Sequence, residues 1–329
     1  MLLLSSVSVH GQDVPKGMNF NFYHIDPGAV AACASQGKGA PFRNSPRLTR
    51  YHDPAVRQDT QADLRQLAEE KITWIRTLVW FAPQALAPLA FVAGKDEDRA
   101  AANLALLGED LAAAGMTDWV VAFGHLDKAR PVCRTQNYGD CFDSDSIQES
   151  SNFILRVRQG LEGTVHPRLW VDLYNEGCVP RRAKKASNQS AIDAKAAYLA
   201  ELVRRYVKAF PSDRISISCV GDDNLEQTLD GMQSLFESEG ASPAFLDAHI
   251  YGRRNRNVEA VSSVLGNAAK AAGKPFIVGE TNLLNPGIER QIFKGLESVH
   301  ATPAALIYWP LTNPDSSCAA DHEENRIGE

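Results

Sequence analysis

The chain has 329 residues, of which 44% are hydrophobic and 22% charged, and it carries a formal net charge of −6. This is an ordinary globular composition, long enough to bury a large core. The only basic cluster, PRRAKK at 180–185, reads as a solvated loop, and no apolar run reaches the roughly 18 residues of a membrane span, so neither nucleic acid nor a membrane is an expected partner.

Residues 1–11 read as the end of a secretory signal. A short apolar stretch leads to Val9-His10-Gly11, suited to a cut before Gln12, although the basic n-region is missing. Residues 12–329 then form the mature domain, expected in a secreted or periplasmic location, and the 6 cysteines fit an oxidising compartment. Cys133 and Cys141 flank a short polar loop and make the best disulfide pair. Cys33, Cys178 and Cys318 fall in other loops, while Cys219 ends a strand-like run and reads as a plain buried thiol. No Cys or His pair has zinc-like spacing, so no metal and no cofactor is called for.

From residue 17 onward, short apolar runs alternate with longer amphipathic stretches. The runs are GMNFNFY (17–23), ITWIRTLVWF (72–81), DWVVAFGHL (118–126), RLWVDLYN (168–175), RISISCV (214–220), FLDAHIY (245–251), PFIVGET (275–281) and AALIYWPL (304–311). Each is strand-length and rich in β-branched or aromatic residues. Most are apolar on successive positions, as parallel strands covered on both sides must be. The clearest helix is 191–210, where Tyr198, Leu199, Leu202, Val203, Tyr206 and Phe210 line one face; Asn188 and Ser190, within a glycosylation sequon, are equally good caps for it. Gly115, Gly240 and Gly273 each follow a helical stretch.

Eight strand–helix units imply an α/β fold, a single (β/α)8 TIM barrel; a monomer is expected. An open doubly wound sheet is the alternative, but it calls for a glycine-rich phosphate loop after its first strand, absent here. The eighteen residues after 311 are too few for a full covering helix, so the last helix is expected to be short or missing.

A barrel of this kind does its chemistry at the carboxyl ends of its strands. Strand two passes through Arg76 toward Trp80, strand three ends in His125, and strand four ends in Asn175-Glu176. Strand six ends in His249 and Tyr251, strand seven in Glu280 and strand eight in Trp309. Two carboxylates facing each other across a sugar are what hydrolysis of a glycosidic bond with retention requires: one as nucleophile, the other as acid and then base.

These eight residues (Arg76, His125, Asn175, Glu176, His249, Tyr251, Glu280 and Trp309) resemble, in order and strand by strand, the set found in glycoside hydrolase clan A, most closely family 5. The resemblance covers the strand ends between about residues 17 and 311 and leaves out the loops. It implies that Glu280 is the nucleophile and Glu176 the acid/base, and that Asn175 binds the sugar 2-hydroxyl. It also implies that Arg76 and Tyr251 serve the nucleophile, that His249 orients the acid/base or hydrogen-bonds the sugar, and that Trp309 stacks on the sugar, with His125 beside the substrate. Further aromatics at strand ends or in loops (Phe22, Tyr23, Phe81, Tyr138, Phe142) could extend Trp80 into a row binding several sugar units of a β-linked polysaccharide, which favours an internal cut. An exo-acting glycosidase of the same clan, a non-catalytic carbohydrate-binding barrel and a metal-dependent enzyme with carboxylate ligands are the rival readings.

Overall fold

The computed structural model describes residues 14–19, 23–25, 42–44, 48–82, 90–125, 142–182, 188–252, 257–282 and 286–309. Strand β1 (Lys16–Asn19) opens the chain. Next, β2 (Tyr23–Ile25) and β3 (Phe42–Asn44) pair antiparallel as a small sheet of their own. A 3-10 turn at Leu48–Arg50 and helix α1 (Pro54–Glu69) lead to β4 (Ile72–Ala82), whose end pairs with the two-residue β5 (Phe91–Val92). There follow α2 (Glu97–Ala113), β6 (Asp118–His125), α3 (Ser144–Gln159), β7 (Arg168–Asp172) and α4 (Gln189–Ala209). After β8 (Ile215–Ser216), β9 (Cys219–Val220) and α5 (Leu225–Ser238) come β10 (Leu246–His249), α6 (Val258–Ala272), β11 (Phe276–Asn282), α7 (Pro286–Ser298) and β12 (Ala305–Trp309).

The main sheet runs β8–β7–β6–β4–β1–β12–β11–β10–β9, every pair parallel. Its two ends belong to one stretch of chain. β8 pairs with β7 through Val171 and Ile215, and β9 pairs with β10 through Ala248 and Cys219. Ala244 N–H also reaches the Ile215 carbonyl at 2.8 Å. The run at 214–220 is therefore the fifth strand of a ring of eight, with Ile217-Ser218 between its halves, and the (β/α)8 barrel is closed. All eight strands lie where the apolar runs place them. The segment that would hold an eighth helix, 310–329, lies outside the described residues, as do residues 1–13 and the pair Cys133 and Cys141.

Alternation along each strand sorts the side chains into two cores. Outward-facing Ile75, Val79, Val121, Val171, Ile217, Leu246, Val278 and Leu306 join the buried helix faces in one large cluster between the ring and its helices. Inward-facing Trp74, Val120, Trp170, Phe245, Ile277, Ala305 and Ile307 fill the amino-terminal end of the barrel as a separate floor. Above the floor the interior turns polar, with Arg76, Asp172, Ser216, Ser218, Asp247 and His249 all fully buried.

Helix ends follow local chemistry. Asp53, Asp143 and Asn257 cap α1, α3 and α6 with side-chain oxygens accepting from Ala55 (3.0 Å), Ser146 (2.7 Å) and Ala260 (3.1 Å). Asn188 stands at the cap of α4 without a side-chain cap bond, and Tyr198, Leu199, Leu202, Val203 and Tyr206 form that helix's buried face. Gly115, Gly240 and Gly273 all take positive φ just beyond their helices, as expected. Cys219 is not a plain thiol: it forms a disulfide with Cys178, because β7–β8 pairing brings the loop after β7 against the fifth strand.

Candidate active site

Arg76 enters the barrel from β4 two positions above Trp74 and has no exposed side chain. One terminal nitrogen donates to Glu280 and, at 3.2 Å, to Asn19 Oδ1. The other donates to Asp172 Oδ2 at 2.9 Å and to Asn175 Oδ1 at 2.6 Å. One guanidinium thus links β1, β11 and both ends of the segment 172–175. Burial alone would lower its pKa, but the carboxylates of Glu280, Asp247 and Asp172 outweigh that and raise it.

Glu280 reaches the interior through a break in register. Ile277 and Gly279 face inward, so simple alternation would turn Glu280 out, but the pairing of β11 with β12 slips between Val278 and Thr281. A bulge of this kind re-aims a side chain. The Glu280 side chain, 7% exposed, accepts from Arg76 at Oε1 and from the Tyr251 hydroxyl at Oε2. Burial and the neighbouring Glu280 hold the Tyr251 phenol well above its usual pKa, so it stays a protonated donor. Gly279 is required beneath: a β-carbon there would lie 2.1 Å from Asp247 Oδ1.

Glu176 is held differently. Its side chain is 40% exposed, and its backbone takes φ of +54°, a left-handed conformation that typically costs a non-glycine residue about 1–3 kcal/mol. Asn175 N–H donates to the Phe123 carbonyl at 2.8 Å, and Glu176 N–H to Ser218 Oγ at 2.7 Å. His249 Nδ1 lies 3.0 Å from Glu176 Oε1 and 3.5 Å from Glu280 Oε2. A carboxylate oxygen of Glu176, one of Glu280 and a ring nitrogen of His249 all lie within 4.8 Å of one another. The two acidic groups from β11 and the end of β7 therefore meet at the carboxyl-terminal mouth.

Below them sits a buried polar set. His249 Nε2 lies 4.0 Å from Asp247 Oδ1. This ring nitrogen, both Asp247 oxygens and Arg76 Nε have no hydrogen-bond partner among the described residues. Burial drives the Asp247 carboxyl up to about 7, with Asp172 and Glu280 adding to it and His249 and Arg76 opposing. Burial pulls His249 down, but Glu280, Glu176 and Asp247 together outweigh it and Arg76, leaving the imidazole above its ordinary value. Asp172, Asp247 and His249 also have donor atoms within 4.8 Å of one another, a spacing a cation could use. Arg76, bonded to Asp172 and Glu280, already supplies positive charge there.

The structure thus brings Arg76, Asn175, Glu176, His249, Tyr251 and Glu280 together. Trp80 and Trp309, partly buried, flank the layer of Leu78 and Ala122 above the polar set. His125 ends β6 opposite Phe81, and its side chain lies outside the described residues. The aromatic row is corrected at two positions. Phe81 alternates away from Trp80 and stacks on Phe153 with centroids 4.4 Å apart, while Phe142 packs on Tyr198 at 5.0 Å, so both belong to the outer core. Phe22, Tyr138 and the Tyr23 side chain lie outside the described residues. Asn19, Asp172, Ser218 and Asp247 were not among the expected site residues. The period of two signals Asp247, two positions before His249.

Fold and geometry together define a closed (β/α)8 barrel with a carboxylate pair at its carboxyl-terminal mouth. No family model matches this sequence, and no curated protein is similar enough to count as a relative. Solved structures share its fold. An endo-1,4-beta-mannanase from Eisenia fetida superposes with TM-score 0.58 at 13% identity, covering 94% of this chain and 89% of that one. The beta-1,4-mannanase of the sea hare Aplysia kurodai gives 0.55 at 13%, covering 92% and 90%. The intracellular xylanase TsXylA from Thermoanaerobacterium saccharolyticum gives 0.55 at 14%, covering 94% and 89%.

Proposed function

We propose that this protein is a retaining β-glycosidase that cuts internally in a β-linked polysaccharide. One observation carries the reading: Glu176 and Glu280, more than 100 residues apart in sequence, place carboxylate oxygens within 4.8 Å at the mouth of the barrel. Double displacement needs such closeness, about 5–5.5 Å between the two carboxyl groups. The fold shared with two mannanases and a xylanase supports it.

In the first step a Glu280 oxygen attacks the anomeric carbon while protonated Glu176 gives its proton to the departing glycosidic oxygen; the carbon–oxygen bond breaks and a glycosyl ester forms on Glu280. In the second, Glu176 takes a proton from water as the oxygen of that water attacks the same carbon, and Glu280 leaves as carboxylate. Arg76 and Tyr251 offer two donors to that carboxylate in each resting state. Asn175, its Oδ1 fixed by Arg76, is assigned to the sugar 2-hydroxyl, and Trp309 and Trp80 to stacking on sugar faces, with His125 beside them. Export to an oxidising compartment fits the Cys178–Cys219 disulfide.

The test is a reducing-sugar assay on mannan, xylan, cellulose and β-glucans, with product lengths resolved, for the wild type and for Glu176→Ala and Glu280→Ala. The wild type is expected to release mixed oligosaccharides from at least one polymer, unaffected by chelator, and each variant to lose several powers of ten. Near-normal hydrolysis by either variant refutes the assignment; loss of wild-type activity with chelator favours the metal-dependent rival.

A further inference from the structure

Glu176 is an exposed, non-glycine residue in a left-handed conformation, and its side chain must hold a fixed distance from Glu280. Its neighbours along the chain are held on either side: Asn175 by the Phe123 carbonyl and Arg76, and Gly177 in a turn closed by its own N–H on the Tyr174 carbonyl at 3.0 Å. The restraint on Glu176 itself comes from the fifth strand. Between β8 and β9 the ladder is interrupted at Ile217-Ser218, and the loop after β7 docks into that gap. Ser218, fully buried, works in both directions there. Its hydroxyl oxygen accepts from Glu176 N–H at 2.7 Å and its carbonyl from Cys178 N–H at 3.3 Å, while its own N–H donates to Asp172 Oδ1 at 3.0 Å. Asp172 Oδ2 in turn accepts from Arg76, which also donates to Glu280. One residue further on, Cys219 is covalently joined to Cys178. The turn cannot lift away, and a β-carbon on Gly177 would press within 2.8 Å of Ile217 and Tyr174.

We propose that Ser218, with the Cys178–Cys219 disulfide beside it, is a positioning clamp for the acid/base. It holds Glu176 in its left-handed conformation and, through Asp172 and Arg76, ties the backbone of one carboxylate to the side chain of the other. Ser218 touches no substrate. Its effect is on where the Glu176 carboxyl group sits, and so on the steps in which that group moves a proton. The inference rests on the glycosidase reading above for its kinetic consequence, not for its geometry.

The kinetic experiment compares kcat/KM for aryl β-mannobiosides and β-cellobiosides carrying either a 2,4-dinitrophenyl or an unsubstituted phenyl leaving group. The first leaves without a proton and the second needs one. Ser218→Ala is expected to lower kcat/KM for the phenyl glycoside about 10- to 100-fold and for the dinitrophenyl glycoside less than threefold. The double variant Cys178→Ser/Cys219→Ser should show the same selective loss, more weakly. Equal losses on both glycosides, as general destabilisation would give, or no loss on either, overturn the proposal. A second measurement needs no turnover: in a crystal structure of Ser218→Ala, Glu176 should leave its left-handed conformation and its 3.0 Å contact with His249. Retention of both overturns the clamp. A wild type that cleaves neither these glycosides nor any of the polymers above refutes the glycosidase reading instead, and the crystal structure then decides the clamp alone.

Discussion

The two ends of this barrel are built from the same strands and obey opposite rules. At the amino-terminal end, Trp74 and Trp170 lie 5.1 Å apart, Phe245 meets Trp170 edge-on at 4.9 Å, and Asp118 accepts from the Trp170 indole at 2.7 Å while pairing with Arg168. Arg168 and Arg214 lie over the Trp170 ring. A recess of about 550 Å³ opens there, lined by Trp74, Trp170 and both arginines, yet the carboxylate in its lining, Asp118, is spent on structure. Two residues further along each strand the interior holds Arg76, Asp172 and Asp247, with buried polar atoms that lack hydrogen-bond partners among the described residues. Leaving such atoms unsatisfied typically costs about 1–3 kcal/mol each, more for charged groups. The floor is therefore built for stability, and the layer above it carries a stability cost. Substitutions at the two ends should separate activity from stability.

The largest effect should come at the mouth. Glu280→Gln, which keeps an oxygen to accept from Arg76 or Tyr251, is expected to lower kcat by about four powers of ten, roughly 5.5 kcal/mol of barrier, with little change in melting temperature. The reverse pattern is expected at the floor. Trp170→Ala removes a ring packed on two aromatics and its indole donor, and should cost about 3–5 kcal/mol in urea unfolding while leaving kcat/KM of the folded protein within twofold. A tenfold fall in kcat/KM for the floor variant would collapse the distinction between the ends. Tyr251→Phe is intermediate: it deletes one donor to Glu280 and should lower kcat/KM by about 10- to 100-fold, roughly 1.5–3 kcal/mol for a bond to a charged group.

Much of this is legible in the sequence. Apolar runs bounded by turn residues mark all eight strands, because strands covered on both sides cannot hide their composition. Arg76 within strand two and the residues at the carboxyl ends of the others, Asn175, Glu176, His249, Tyr251 and Glu280, do converge. Less legible were residues whose meaning depends on ring closure. Ser218 reads as one polar position in RISISCV, and only the split pairing of β8 and β9 shows that it faces the loop after β7. Cys178 and Cys219 are 41 residues apart, and register rather than spacing brings them together. Phe81 looked like a cleft ring because it follows Trp80, yet neighbours on a strand face opposite ways. The inward turn of Glu280 also breaks simple alternation, and the slip between Val278 and Thr281 that permits it carries no obvious sequence mark.

The smallest expected effect tests the buried layer between the two ends. In the folded protein the Asp247 carboxyl titrates near 7, against 3.8 for the ordinary group, so between these values the native state keeps a proton that the unfolded chain releases. Stability must then fall as pH rises through that window, by about 1.4 kcal/mol per unit while the difference lasts, and little further above 7. His249 acts in the same direction: its pKa is raised, so its contribution is complete below 6.5 and is lost as pH climbs through the folded value. Unfolding free energy from urea titrations should therefore be about 1.4 kcal/mol higher at pH 6 than at pH 8 on account of Asp247. Asp247→Asn, which fixes a neutral group of the same shape, should remove that part of the slope while leaving the floor intact. If the variant kept the full pH dependence, Asp247 would not hold the proton, and the polar layer would have to balance its charge through Asp172 and Arg76 instead.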